Sequence, residues 1–268
     1  MASLQTIQKI GPVLDLFTVN QSEWGVSEVA AAIGIPRSSA HALLSSLVET
    51  GLLQCRGRGR YRIGWRVVEM NQTLQGTVDV RACASPVIQA LSEKYGETVH
   101  LAVMERYRVL YVDKVLGNHV INVAGARVGA QLEAHCSAVG KVLLAYCDPA
   151  EIERNITNTP LRRLTPSTIT NPAALAQELR HVRANGCALD AGEAVQEVHC
   201  VAAPIRDEMG VVIAAVSMTV PVSRFVPAQA EFKRAVIAAA AQISRDLTAA
   251  AEPVILTSVD NPTMAAAG

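Results

Sequence analysis

Apolar residues recur every three or four positions from Leu4 through Ile7, Ile10, Val13, Leu14 and Phe17, which predicts a helix over residues 4–19. Gly11-Pro12 interrupts it. An interior proline removes a hydrogen bond and costs about 3 kcal/mol, so a kink or a late start is expected. After a loop at residues 20–25, Val29, Ala30 and Ile33 mark one short helix, and Ala40, Leu43, Leu44, Leu47 and Val48 mark another. Ser27 is placed to cap the first, with Glu28 in its opening turn. Gly34 ends it, Pro36 suits the first turn of the next, and Gly51 stops that one. The period then falls to two. Leu52 and Leu53 begin a strand, and Tyr61 and Ile63 lie on the returning one, about the tip Arg56-Gly57-Arg58-Gly59-Arg60. Residues 26–64 therefore read as a helix-turn-helix followed by a hairpin wing.

Residues 65–76 continue as a connecting helix, whose Val67, Val68, Met70 and Leu74 could pack against a second copy of the chain. A longer helix follows from residue 79 to Gly96, with a kink or fresh start expected at Pro86. Thr98–Met104 and Val109–Val115 pattern as a hairpin about a polar turn, and Val120–Ala124 as a third strand. Ser137–Tyr146 is a helix, and Asp148-Pro149 opens another. Asn171-Pro172 starts one over 173–185 that Gly186 ends. Strands are expected at Cys187–Ala191, Cys200–Ile205 and Val211–Thr219, then a long helix at Pro227–Ala250 and a loose tail. This order predicts an antiparallel α+β domain.

At 268 residues, half of them hydrophobic, two domains with ample core are expected. The net charge is zero, so any attraction to nucleic acid must be local. Between Gly51 and Arg66 there are five arginines (56, 58, 60, 62 and 66) and no acidic residue. Such a run is ordinarily a solvated face. On a glycine-rich hairpin after a helix-turn-helix, it points to phosphate or minor-groove contact by Arg56, Arg58 and Arg60. Arg37, Ser38, Ser39 and His41 cluster where a recognition helix meets phosphates and base edges. A small helical bundle without a nucleic-acid partner is the plainer alternative. The six cysteines are scattered without paired spacing, which suits reduced thiols in the cytoplasm. Neither a leader nor a membrane-spanning run is read.

Five segments in order resemble the isocitrate lyase regulator (IclR) family of bacterial transcription factors. They are GVSEVAAAIGIPRSSAHALLSSLVETGLL, YRIG, HCSAVGKVLLA, LTPSTITNPAALAQELRHVRANGCALD and CVAAPIRDEMGVVIAAVSMTVP. The resemblance implies a winged helix-turn-helix at residues 1–64, a linker helix at 65–82, a GAF-like effector-binding domain at 83–250 and a flexible tail at 251–268. It also implies a homodimer or dimer of dimers on a palindromic double-stranded operator, most simply a repressor of a catabolic operon, with no enzymatic activity and no cofactor. The effector implied is a small organic or aromatic acid. Several positions depart from the family pattern: Ala42 where a basic residue is frequent, Glu133 where proline is, and Gly192 and Glu197 where glutamate and glycine are.

The start of the helix at Ser137 is the best physical candidate for binding that acid. The N–H groups of Ala138 and Val139 fall outside the helix's own bonding, and the helix dipole favours a carboxylate there. An ordinary capped helix is the alternative on spacing alone. Asp190, alone, reads as a solvated turn residue, and Cys200 as a small buried apolar group. The family pattern turns both toward the effector. Ser217 and Thr219, two apart, share a strand face and would hold the ligand's other end or simply pack. Ile121, Ala124 and Leu132 would form an apolar wall. Two rival uses remain: zinc held by His135-Cys136 and His199-Cys200, for which no ligand spacing argues, and a Cys–His hydrolase. A ligand-binding module whose front domain contacts protein rather than DNA is the remaining alternative.

Overall fold

The computed structural model describes residues 5–77, 80–118, 127–158 and 160–251. It forms two compact units, 1–79 and 80–268. In the first, helices α1 (Gln5–Gln8) and α2 (Ile10–Asp15) divide at Lys9. The late start puts Pro12 in the first turn of α2, where a missing N–H has no helical partner to lose. A short strand β1 (Trp24–Gly25), expected as loop, precedes α3 (Val26–Ile33) and α4 (Arg37–Glu49). Ser27 is not the cap. Gly25 holds that position, and the Glu28 carboxylate reaches back to accept the Gly25 N–H at 2.7 Å. Gly34 ends α3 in the left-handed region at φ +67°.

Strands β2 (Leu53–Arg56) and β3 (Arg60–Ile63) form the wing, with β1 on the far side of β3. Val13, Val29, Ala40, Leu44, Leu47, Leu53 and Tyr61 fill one core beneath it. The wing closes tightly at its base. A Cβ on Gly64 would stand 2.0 Å from the Gly51 carbonyl oxygen, so only glycine fits. Helix α5 (Arg66–Thr77) follows.

The second unit opens with α6 (Val80–Tyr95), which runs through Pro86 without the expected break. Pro86 and Ala82, whose carbonyl loses its helical donor, both lie on the exposed face of the helix. Then come β4 (Thr98–Glu105), β5 (Arg108–Val115), β6 (Gln131–Glu133), α7 (Ala138–Tyr146), α8 (Pro149–Asn158), α9 (Pro172–Asn185), β7 (Ala188–Ala191), β8 (Val198–Arg206), β9 (Val212–Pro221) and α10 (Val222–Ala251). The six strands make one antiparallel sheet in the order β6-β5-β4-β9-β8-β7. Arg106 (φ +50°) and Tyr107 (φ +62°) form the two-residue turn between β4 and β5, of the kind whose twist matches a hairpin.

Successive side chains face opposite sides of the sheet. Leu101, Val201 and Val216 pack with α6 and α10. Their neighbours Ala102, Ala202 and Ala215 pack with α7 and α9. Helix α10 starts five residues earlier than expected and contains Pro227, with one non-helical residue at Ala228. The expected strand Val120–Ala124, and with it Ile121 and Ala124, lies outside the described residues, as does the tail from 252.

Candidate functional sites

Arg37, Ser38, Ser39 and His41 are exposed on the first turns of α4, together with Ala42. Arg56 is exposed at the end of β2, and Arg58 sits in the single turn Gly57–Gly59 at the wing tip. Arg60 is engaged differently from the expectation. Its Nη1 lies 2.7 Å from Glu28 Oε2, and its Nη2 donates to the Glu23 carbonyl at 2.8 Å. The carboxyl of Glu28 is held below its usual range, first by the Gly25 N–H and then by Arg60. Arg62 donates twice to Gln54 Oε1, and Arg66 donates to the Thr50 carbonyl at 2.6 Å. Three of the five basic side chains, Arg60, Arg62 and Arg66, are thus bonded within the module.

In the second unit, strand register assembles a polar row. Asp190 pairs with Cys200 across β7–β8, and Cys200 with Thr219 across β8–β9. His100 pairs with Ser217 across β4–β9. These residues line a small cavity of about 20 Å³, room for roughly one water, closed by Ser137, Ala138 and Val139 at the start of α7 and by Leu132 of β6. Every predicted effector residue among the described ones lines this space. The sequence reading missed His100, Tyr111, Ala194 and Val198. The signal for His100 was a single polar residue interrupting the apolar run of β4.

The helix start is arranged as expected. Ser137 Oγ accepts the Gly140 N–H at 3.2 Å, and the Ser137 carbonyl accepts from Lys141. That leaves the N–H groups of Ala138 and Val139 outside the helical ladder. Gly140 is required by contact: a Cβ there would stand 2.2 Å from the Ala134 carbonyl oxygen.

Burial sets the charges. The Asp190 carboxyl is pushed up to about 7 by desolvation, against the pull of the Glu193 N–H that it accepts at 2.6 Å. His100 is driven down to about 3 by desolvation, reinforced by the charge of Lys114, so its ring is neutral. Burial also raises the Cys200 thiol. Its sulfur lies 3.3 Å from the Thr219 hydroxyl, so it is a protonated lining group rather than a nucleophile. The histidines next to Cys136 and Cys200 are occupied elsewhere. His135 Nε2 meets the Arg162 carbonyl at 3.0 Å, and His199 packs edge-on against Phe225. Among the described residues no three His, Cys, Asp or Glu side chains gather as metal ligands.

Lys141 was read only as part of a helix, yet it is 1 % exposed. Its ammonium lies 2.6 Å from Glu193 and 3.1 Å from Glu178. The hydroxyls of Thr165 and Thr168 donate to the Gly192 and Glu193 carbonyls at 2.6 and 2.7 Å. The loop after Asp190 is therefore pinned from two sides. Gly192 stands at φ +76°, which accounts for glycine in place of the family's usual side chain. A wider groove beside Leu144, Ile152 and Leu179 holds none of these polar groups, and Arg183 there is bonded to the Ala145 and Cys147 carbonyls.

A winged helix-turn-helix in one unit and a polar cavity in the other define a DNA-binding transcriptional regulator with a sensing domain. Residues 6–57 match the IclR helix-turn-helix domain, and residues 72–245 match the C-terminal domain of the bacterial transcriptional regulator IclR. The chain belongs to the IclR family. It is 32% identical over 249 residues to the HTH-type transcriptional regulator XynR of Escherichia coli, covering 92% of this chain and 98% of that one. Among solved structures it is similar to an IclR homolog from Microbacterium hydrocarbonoxydans complexed with 4-hydroxybenzoate. The TM-score is 0.77 at 30% identity, over 90% of this chain and 98% of that one. It is also similar to the Thermotoga maritima IclR, with a TM-score of 0.65 at 29% identity over 91% and 99% of the two chains. No helix among the described residues is long and apolar enough to cross a membrane.

Proposed function

We propose that this chain is a cytoplasmic repressor of a catabolic operon that responds to a small organic or aromatic acid. One observation carries the reading. The outward N–H groups at the start of α7 open on the same cavity as Asp190, Cys200, Ser217 and Thr219. A carboxylate suits the helix start, and the hydroxyls suit the ligand's other end. The aromatic acid bound by the Microbacterium relative supports that class. The helix-on-both-faces sheet is read as GAF-like.

On the DNA side, Arg37, Ser38, Ser39 and His41 would enter the major groove, while Arg56 and Arg58 follow the backbone or minor groove. Val67, Val68, Met70 and Leu74 of α5 are 40–71% exposed, a strip suited to a second copy of the chain. A dimer would set two recognition helices about 34 Å apart on a palindrome. Gel-shift titration of promoter fragments, with and without small acids, tests the whole. Binding released by an acid is expected. Binding that no acid alters would remove the effector reading.

A further inference from the structure

His100 stands apart from the other lining residues. It is 2% exposed, on the central strand β4, and its ring packs 5.0 Å from that of Tyr111. Nδ1 has a long contact of 3.4 Å to the Thr219 hydroxyl. Nε2 is buried and makes no hydrogen bond. Buried ring nitrogens are ordinarily satisfied, and leaving one unmade costs the desolvation of the group. His100 is among the residues that line the cavity closed by Ser137, Ala138 and Val139.

We propose that His100 Nε2 is the specificity contact of the effector site, and that it takes a neutral oxygen, hydroxyl or carbonyl, of a monocarboxylic acid. The proposal rests on the acid-binding reading above and adds to it the second polar group of the ligand. Two features argue for a neutral oxygen rather than a second carboxylate. The buried ring is uncharged, and the buried ammonium of Lys141 is already held by two carboxylates. The Thr219 hydroxyl on Nδ1 is able to donate or accept. The ring can therefore present Nε2 as donor to a carbonyl or as acceptor from a hydroxyl.

The test uses the full-length protein and matched acids: benzoate with 4-hydroxybenzoate, and propionate with lactate and pyruvate. Thermal shift and calorimetry are read on wild type, His100→Leu and His100→Gln. The oxygenated member of at least one set is expected to bind wild type roughly tenfold tighter than its plain partner. His100→Leu is expected to erase that difference, and His100→Gln to restore part of it. The His100 Nε2 resonance in nitrogen-15 spectra is expected to move with the oxygenated acid alone. Equal losses for both members, or no preference in wild type, would overturn the proposal and leave the acid site standing. If no acid of either set moves the wild-type melting temperature, the acid site itself falls, and the proposal with it.

Discussion

Lys141 Nζ lies 2.6 Å from Glu193 Oε1 with both side chains buried, and this pair joins the helix that caps the cavity to the loop that follows Asp190. Breaking a buried pair strands a charge at a cost of about 3–5 kcal/mol, whereas removing both partners is far cheaper. Lys141→Met is expected to lower unfolding stability by that amount, and Lys141→Met with Glu193→Leu to recover much of it. Urea unfolding followed by circular dichroism measures both. A single variant as stable as wild type would show that the pair holds nothing together.

The cavity's titrations act in opposite senses. His100 is depressed from 6.5 to about 3, so its contribution is full above pH 6.5 and is lost as pH falls toward 3. Asp190 is raised from 3.8 to about 7, so its contribution is full below pH 3.8 and is lost as pH rises through 7. Over the shared window the two slopes oppose each other. Asp190→Asn is expected to leave stability falling steeply on acidification from about pH 6.5 to pH 4. His100→Gln is expected to leave it rising over the same window. Denaturation midpoints across that range read the slopes directly, and parallel profiles in all three proteins would refute the assignment.

Gly140 sits inside a helix, where alanine ordinarily gains about 1 kcal/mol. Here the added carbon would meet the Ala134 backbone at 2.2 Å. Gly140→Ala is expected to lose about 1–3 kcal/mol and to weaken acid binding, because the cavity's rim shifts. A raised melting temperature would show that the rim yields freely.

The wing arginines separate into two kinds. Arg56→Ala and Arg58→Ala are each expected to weaken operator binding and to reduce the salt slope by about 0.9. Arg60→Ala is expected to leave the slope nearly intact and to lower the thermal stability of the amino-terminal unit, since its partners are Glu28 and the Glu23 carbonyl. Gel shifts at several salt concentrations, beside melting curves, distinguish the two. An equal slope change for all three would return Arg60 to the DNA contacts.

The helix-turn-helix was legible because its stripe, its left-handed Gly34 and its alternating wing are all local signals. The strip Ser137–Tyr146 and the strands holding Cys200, Ser217 and Thr219 were legible for the same reason. What escaped depends on partners distant in sequence. Trp24–Gly25 is a strand only because Tyr61 and Arg60 lie beside it. Lys141 gives no local hint of burial, since its carboxylates are 37 and 52 residues away. His100 joined the site through its register with Ser217, across more than a hundred residues. Ser27 lies within the first turn of α3, which begins at Val26 because the Glu28 carboxylate takes the Gly25 N–H.

The strut from Arg60 to Glu28 clamps the hairpin onto the first helix of the reading head, and β1 adds its own pairing to β3. The strut and the strand pairing tie the hairpin and the first helix to one another, so a substitution that loosens the hairpin would also disturb the helix that precedes the recognition helix.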